Sequence, residues 1–136
     1  MTLSPAEIAA FVDELYDATG GGDWERINSL LTDDFVVTEA ESLPMAGVYR
    51  GKSALRELFE RVMGMVDVVA LDRHDLLIGP DSAIAVLSMR FADPNLAPAE
   101  ICEMFRFRDG KCCEIKPFYF DPAPFVAAVN AKRKAG

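Results

Sequence analysis

A glutamate ends a short apolar segment, in a place where a carboxyl group is unusual. If residues 35–39 form a strand, Phe35, Val37 and Glu39 lie on the same face of it. Two apolar residues on that face indicate that it points inward, so Glu39 would project into an apolar interior. Burial disfavours the charged carboxylate and raises its pKa toward the working range of a general base. Glu39 is therefore a candidate catalytic base, and the alternative is a surface glutamate paired with Arg50 or Lys52.

A second glutamate, Glu103, stands inside the apolar run from Ile101 to Phe105 and is the second catalytic candidate. A competing arrangement is open, because Asp109-Gly110 is a strong signal for a two-residue hairpin. Such a turn places Glu103 opposite Lys116, in an ion pair worth only about 0–1 kcal/mol that would keep Glu103 ionised. Pro117 argues against this register, since a proline within a strand implies an edge or a bulge near it.

The chain has a single histidine, His74, on a predicted strand face shared with Ala70, Asp72 and Leu76. Histidine is the side chain that most readily exchanges a proton near neutral pH, so His74 could act as an acid or base if it faced a cavity. A lone histidine on a strand is more often a surface or interface residue. His74 is the third catalytic candidate on these terms.

The composition limits the classes of function. The 136 residues suit one domain, residues 1–136, and 51% of them are hydrophobic, which is enough for a core. A net charge of −8 argues against a nucleic-acid partner, because an acidic surface repels phosphates. No apolar run approaches the roughly 20 residues of a membrane span, and the first residues lack signal-peptide features. Three clustered cysteines and one histidine suit a reducing compartment and offer no zinc spacing, so we expect a cytoplasmic protein without a metal.

The elements that would position these residues begin with helices. Ser4-Pro5-Ala6-Glu7 is a capping box with proline at the first helical position, and Gly20-Gly21-Gly22 ends the helix. Asp23 caps a second, shorter helix, which Thr32-Asp33-Asp34 interrupts before the first strand. A third helix is predicted over residues 51–63, because its apolar residues recur at helical spacing.

The second half of the chain changes to strand periodicity. Predicted strands cover residues 66–78, 83–92, 99–108 and 111–120, and Asp121-Pro122 opens a last helix. Three early helices must then cover one face of a run of antiparallel strands. We predict an α+β fold in which a strongly curved sheet, closed by helices, leaves a cavity at its wide end. Apolar residues on both faces of the late strands fit a homodimer formed through the outer sheet face.

Several short phrases, in order along nearly the whole chain, resemble the SnoaL-like, ketosteroid-isomerase-like family of the nuclear-transport-factor-2-like superfamily. They are Gly22-Asp23-Trp24, Leu30-Leu31-Thr32-Asp33-Asp34-Phe35, Tyr49-Arg50-Gly51-Lys52, Arg108-Asp109-Gly110-Lys111 and Tyr119-Phe120-Asp121. The resemblance implies a cystatin-like fold: a curved antiparallel sheet packed on three N-terminal helices, forming a cone with an internal pocket, plus a short C-terminal helix. It is weak evidence for function, because this fold hosts isomerases, cyclases, epoxide hydrolases and binding proteins.

The resemblance also implies roles for single residues. In the isomerases the general base lies six residues after the first of an Asp-Asp pair, which from Asp33 gives Glu39. Glu103 matches the strand position of a protonated acid that donates a hydrogen bond to a developing oxyanion. The first-helix tyrosine that shares this task matches Leu15, and Tyr16 follows it. One helical step is about 100°, so we expect Tyr16 to point away from that site and to lie at the edge of the core.

Arg90 resembles the arginine of the epoxide-hydrolase branch, which works with an aspartate two residues later. Here that residue is Ala92, and Phe118 replaces the acid that precedes the Tyr-Phe-Asp phrase. Hydrolysis of an epoxide is therefore not expected. We place Arg90 in the lining of the pocket, together with nine apolar and aromatic residues: Phe11, Leu15, Tyr16, Trp24, Val37, Leu58, Phe59, Phe105 and Phe118.

The sequence is compatible with three functions. The first is an acid–base enzyme of the isomerase, cyclase or dehydratase type, which acts on a small apolar carbonyl compound through an enolate-like intermediate. Glu39 would be its base and Glu103 its hydrogen-bond donor, and this chemistry needs no cofactor. The second is a non-catalytic binder of a small hydrophobic ligand, which the displaced first-helix tyrosine favours. The third is a dimerisation scaffold, in which association is itself the function.

Overall fold

The computed structural model describes residues 2–135, which form four helices and six strands. α1 (Pro5–Gly20) and α2 (Trp24–Leu30) precede β1 (Leu31–Glu39) and β2 (Gly47–Arg50), and α3 (Ala54–Met65) follows. The chain then forms β3 (Val68–Gly79), β4 (Ser82–Phe91), β5 (Ala99–Arg108) and β6 (Lys111–Tyr119), and ends in α4 (Ala123–Ala135). This order confirms the predicted α+β class. Within residues 2–135, no helix has both the length and the apolar character needed to cross a membrane.

α1 begins at the predicted reciprocal cap. The Ser4 hydroxyl accepts a hydrogen bond from the Glu7 backbone N–H at 3.2 Å, and the Glu7 carboxylate accepts one from the Ser4 N–H at 2.9 Å. These bonds satisfy backbone donors that the first helical turn otherwise leaves free. One face of the helix is buried along its length, through Ile8, Val12, Leu15 and Ala18. That apolar face fixes which side of α1 meets the protein interior.

The six strands form one sheet in the order β2-β1-β6-β5-β4-β3. The pair β1–β6 is parallel, and the other four pairs are antiparallel. A parallel pair needs a long connection, and here α3 and four strands lie between its two members. The predicted antiparallel arrangement therefore holds for every neighbouring pair except this one.

The register of the β5–β6 hairpin decides which of its residues face inward. Asp109-Gly110 forms the predicted tight turn, with φ angles of 54° and 76°. The register shifts directly after the turn, and Cys113 is the extra residue of a β-bulge. Glu103 therefore lies opposite Pro117, and not opposite Lys116 as a hairpin without a bulge predicts. The bulge predicted near Pro117 lies instead at Cys113, closer to the turn.

Two strands start two or more residues away from their predicted first residue, and the other strand boundaries lie within one residue of the prediction. β1 starts at Leu31, directly after α2, and not at Phe35, because Leu31 already pairs with Cys112 of β6. β3 starts at Val68 and not at residue 66, because α3 continues to Met65. Pairing with a neighbouring strand and the continuation of a helix both depend on tertiary contacts. Local residue patterns therefore do not give the exact ends of these elements.

The helices cover one face of the sheet and leave space beneath them. α1 packs against α2 and β3, α3 packs against β1 and β2, and α4 packs on α3. Edge-to-face aromatic pairs join the layers, and one of them is Phe11 with Phe107, whose ring centroids lie 5.1 Å apart. The inner face of the sheet is thus closed by helices, whereas the outer face carries none of them.

Replacing Gly110 with alanine tests the turn that sets the hairpin register. Gly110 has a φ of 76°, in the left-handed region that disfavours any side chain with a Cβ atom. We expect Gly110→Ala to lower the free energy of unfolding by about 1–2 kcal/mol, measured by urea denaturation. Gly64→Ala is the control, because a Cβ there meets nothing within 4 Å in α3 and should stabilise by about 0.5–1 kcal/mol. Equal changes of the same sign in the free energy of unfolding of both variants would contradict the left-handed conformation of Gly110 in the turn.

Candidate active site

A cavity of about 690 Å³ lies between the helices and the inner face of the sheet. The C-terminal half of α1 borders it, and most of its walls are apolar side chains of α3 and of strands β3 to β6, including Leu55, Leu58, Phe59, Val62, Leu87, Met89, Ile101 and Ile115. A cavity of this size, mostly apolar with a few polar groups, is typical of a site for a small organic molecule.

Glu39 is the last residue of β1, and it opens onto this cavity. Only 5% of the residue is exposed, and its Oε1 has no hydrogen-bond partner among residues 2–135. Phe35 and Val37, on the same strand face, are fully buried, so the alternation of β1 directs Glu39 inward as predicted. Burial, and to a lesser degree the neighbouring Glu103, raises the pKa of Glu39 to about 8.

Glu103 faces the same cavity from β5, and Pro117 of β6 lies between the two glutamates. Glu103 pairs directly with Pro117. On the other side of β6, Val37 pairs with Ile115 in parallel, so Glu39, two residues further on, comes beside Pro117. The three residues form one row across adjacent strands, and a strand spacing of about 4.8 Å places the two glutamate backbones roughly 10 Å apart. Each side chain can therefore extend over the proline ring toward the other.

Tyr16 of α1 contacts Glu103, because its hydroxyl donates a hydrogen bond to Glu103 Oε1. Its ring packs edge-to-face on Phe105, with centroids 5.8 Å apart. The expectation that Tyr16 points away from the site is therefore wrong. The cavity extends along the C-terminal half of α1, so Leu15 and Tyr16 both line it although one helical step separates their directions.

The protonation of this pair follows from its surroundings. Burial raises the pKa of Glu103, and the hydrogen bond from Tyr16 partly opposes that rise. Burial and the neighbouring Glu103 raise the pKa of Tyr16, so its phenol stays protonated. The pair therefore combines a neutral phenol with a carboxyl group whose protonated form is favoured by burial.

Tyr119, near the end of β6, is a further residue of the site that the sequence reasoning missed. It lines the cavity and packs edge-to-face on Phe125 of α4, with centroids 5.9 Å apart. Burial raises its pKa, and so do the nearby Glu39 and Glu103. Its signal in the sequence is its spacing, because Tyr119 follows Pro117 by two residues and therefore shares its strand face.

His74 follows the inward Arg73 in β3, so strand alternation turns it away from the cavity. The register of β3 against β4 shifts just after Arg73, which lines the cavity and pairs with Asp13 of α1 at 2.7 Å. His74 Nε2 lies 2.7 Å from the Ser88 hydroxyl, which in turn donates to the Glu100 carboxylate at 2.9 Å. Ser88 is on the outer face of the sheet, since its neighbours in β4 point inward. The prediction of His74 as a catalytic residue in the pocket is therefore wrong.

The ten predicted lining residues divide into three groups. Five of them border the cavity: Leu15, Tyr16, Leu58, Phe59 and Phe105. Three others pack inside the protein away from it. Phe11 contacts Phe107, Trp24 packs on Phe59 with centroids 5.3 Å apart, and Val37 is fully buried in the core. Core packing and cavity lining both require inward apolar residues, so periodicity does not distinguish them.

Arg90 and Phe118, the remaining two, lie on the outer face of the sheet. Arg90 follows the inward Met89 and forms an ion pair with Asp72 of β3. Phe118 comes between the inward residues Pro117 and Tyr119 of β6 and is 51% exposed. Their placement in the pocket is corrected by strand alternation alone. Within residues 2–135, no group of three or more His, Cys, Asp or Glu side chains could hold a metal ion.

Solved structures share this fold. A nuclear-transport-factor-2-like protein of Burkholderia xenovorans is 21% identical over 93% of this chain and 98% of its own, with a TM-score of 0.79. TerC, co-crystallised with polyporic acid, is 15% identical over 91% of this chain and 98% of its own, with a TM-score of 0.77. A candidate ketosteroid isomerase from Kribbella flavida is 20% identical over 85% of this chain and 79% of its own, with a TM-score of 0.67. No curated protein matches the sequence.

The sequence pattern of the SnoaL-like domain family matches residues 12–115, which is most of the chain. The matched segment contains Tyr16, Glu39 and Glu103, three of the polar residues at the cavity. The resemblance drawn from the short sequence phrases is confirmed, and the chain belongs to the SnoaL-like domain family.

Proposed function

We propose that this protein is an acid–base enzyme that acts on a small apolar carbonyl compound through an enolate-like intermediate. The observation that carries the proposal is the Glu39 carboxyl group, which is buried, lacks a hydrogen-bond partner and opens onto an apolar cavity. Buried polar groups that serve only structure are nearly always paired. A pKa of about 8 lets Glu39 exchange a proton near neutral pH, as a general base must.

The reaction begins when the Glu39 carboxylate takes a proton from the carbon next to the substrate carbonyl. The electron pair of the broken C–H bond forms the C=C bond of an enolate, and the negative charge moves to the carbonyl oxygen. Glu103, in its protonated form, donates a hydrogen bond to that oxygen. Return of the proton to another carbon gives isomerisation, whereas attack on a second carbonyl, or loss of water, gives cyclisation or dehydration.

Tyr16 acts on Glu103 and not directly on the substrate. Its hydroxyl proton is already donated to Glu103 Oε1, which leaves Oε2 of that carboxyl group for the substrate. A hydrogen bond to one oxygen orients the carboxyl group and makes its remaining proton more acidic. Tyr16 is thus a positioning residue in this mechanism.

The apolar walls and the structural neighbours support a small organic substrate. The cavity walls offer hydrophobic contact to a ligand along most of their length. Polar groups line it at Glu39 and Glu103, and a second polar set, which includes Asp13, Asp17 and Arg73, borders it near α1. One protein of the same fold is a candidate ketosteroid isomerase, and another was crystallised with polyporic acid. These likenesses favour an aromatic or polycyclic ligand here.

A second candidate function is non-catalytic binding of a small hydrophobic ligand. The observation that favours it is the Tyr16 hydroxyl, whose proton is used inside the protein and not offered to a substrate oxygen. A binder needs only the cavity and one polar anchor, which the free Oε1 of Glu39 would supply. A measurement of turnover therefore distinguishes the enzyme from the binder, whereas a measurement of ligand affinity alone does not.

We also propose that two copies associate through the outer face of the sheet. Apolar side chains there are partly exposed, with Leu77 53% and Phe118 51% accessible. Arg90 and Glu100 add charges of both signs to the same face, so a copy related by a two-fold axis can pair opposite charges. The open cavity on the other side of the sheet disfavours association as the sole function.

The exchange Glu39→Gln separates the two candidate functions. Glutamine keeps the size of the side chain but accepts no proton, so we expect exchange of the α-hydrogens of polycyclic ketones in heavy water to fall by about 10²–10⁴-fold. Glutamine also resembles the neutral Glu39 that coexists with the enolate. Binding of phenolates, which mimic the enolate, should therefore strengthen, seen as a larger rise of melting temperature with phenols and with polyporic acid.

The matched control is Glu41→Gln, because Glu41 is exposed two residues away and should change neither readout. Ligand binding by the wild-type protein without exchange of any ketone hydrogen would favour the binder. If Glu39→Gln retained full exchange activity, the proposed base would be refuted.

Phe118→Asp tests the proposed dimer. A charge at the centre of an apolar contact is costly to bury, so we expect the mass measured by light scattering to fall from that of two chains to that of one. Val48→Asp is the control, since Val48 is also 51% exposed but lies on the edge strand β2, two strands from β6. A single-chain mass for the wild-type protein at micromolar concentration would contradict the dimer.

A further inference from the structure

Tyr119 is placed to act on the same substrate atom as Glu103. It shares the inner face of β6 with Pro117, which lies between the two glutamates of the site. In the β5–β6 pair, Pro117 is opposite Glu103 and Tyr119 is opposite Ile101, so Tyr119 and Glu103 are diagonal neighbours on one face. Diagonal neighbours lie about 7–8 Å apart at the backbone, within reach of a tyrosine side chain.

The two tyrosines of the cavity differ in what their hydroxyl groups contact. Tyr16 donates its proton to Glu103. Among residues 2–135, no hydrogen bond contributes to the pKa shift of Tyr119, which comes from burial and from the charges of Glu39 and Glu103. Its hydroxyl group is therefore near both carboxyl groups and free to donate to a ligand in the cavity.

We propose that Tyr119 is a catalytic residue that donates a second hydrogen bond to the substrate oxygen, so that Tyr119 and Glu103 together form the oxyanion site. This inference rests on the proposed function and deepens it. It assigns the substrate an orientation, with the carbonyl oxygen over Pro117 between Tyr119 and Glu103, and the acidic C–H bond toward Glu39. The apolar remainder of the substrate then extends along α3 and β4.

The proton balance of the step is complete without a further reagent. Glu39 gains the proton of the broken C–H bond, and the electron pair of that bond becomes the C=C bond of the enolate. The oxygen carries the resulting negative charge and accepts hydrogen bonds from the Tyr119 and Glu103 hydroxyl groups, neither of which transfers its proton. When Glu39 returns its proton to carbon, the negative charge returns from the substrate oxygen to the Glu39 carboxylate, and the carbonyl group is neutral again.

Tyr119 suits this task because it stays neutral throughout. Burial, Glu39 and Glu103 all raise its pKa, so its phenol remains a donor whether or not the neighbouring carboxyl groups are ionised. Glu103 donates only while it is protonated. Two donors of different acidity therefore keep the oxygen stabilised over a wider range of pH than Glu103 alone.

The test measures binding of 4-nitrophenol in the Glu39→Gln background, with nitrobenzene as the ligand that lacks the phenolate oxygen, which would accept the hydrogen bonds. The visible absorption of 4-nitrophenolate reports whether the bound form is the anion. We expect Glu39→Gln/Tyr119→Phe to bind the anion about 10–100-fold more weakly than Glu39→Gln, because a hydrogen bond to a charged acceptor is lost. Affinity for nitrobenzene should change less than about twofold, since no hydrogen bond to it is removed.

The control is Tyr49→Phe in the same background, which removes the hydroxyl group of a buried tyrosine outside the cavity. Tyr49 donates to the Met45 carbonyl at 2.7 Å, so this variant should lose thermal stability but keep its affinity for 4-nitrophenolate. Both variants are compared at a temperature where each is folded, as judged by circular dichroism. A loss for Tyr49→Phe as large as that for Tyr119→Phe would overturn the proposal, because the effect would then be general.

Failure of this inference is distinguishable from failure of the proposed function. If Glu39→Gln binds 4-nitrophenolate more tightly than the wild type but Tyr119→Phe does not weaken that binding, the role of Tyr119 is overturned and Glu39 as base survives. If the wild type and Glu39→Gln bind the anion equally or not at all, the proposed function and this inference are both overturned.

Discussion

Two carboxyl groups face one apolar cavity, and burying their charged forms there costs folding free energy. The rest of the site depends on this burial. A glutamate in an unfolded chain has a pKa near 4.3, whereas that of Glu39 in the folded protein is about 8. Between these values the folded state holds more protons than the unfolded state, so stability decreases as the pH rises through this window. The loss above pH 8 is on the order of 5 kcal/mol, a large share of the stability of a small domain. Carboxyl groups whose burial lowers the stability of the folded protein this much are found chiefly in functional sites.

The fold holds these groups in place through strand register. Parallel pairing of β1 with β6 brings Glu39 beside Pro117, and the bulge at Cys113 brings Glu103 to its other side. A slip of one residue in the hairpin would turn Glu103 to the outer face. The helix layer adds Tyr16, which donates a hydrogen bond to Glu103, and it contributes to the burial that raises the pKa of both glutamates. Sheet, bulge and helix thus each contribute one part of a single polar cluster.

The sequence predicted what depends on local periodicity and missed what depends on pairing between elements. Strand alternation identified Glu39 as an inward acid, and the order of elements identified the α+β fold. The direction of Tyr16 could not be predicted from a helical wheel, because the cavity extends around more than one side of α1. His74 was placed at the cavity because the sequence of β3 does not show which of its faces points inward, and Glu103 was placed opposite Lys116 because the turn residues do not reveal the bulge at Cys113.

The measurement that tests this account most directly is the protonation of Glu39 itself. Infrared difference spectra between wild type and Glu39→Gln, recorded as a function of pH, isolate the carbonyl band of the protonated Glu39 side chain. We expect this band to be present at neutral pH and to disappear with a midpoint near pH 8. A midpoint near pH 4.3, the ordinary value for an exposed glutamate, would contradict the buried base on which the proposed chemistry depends.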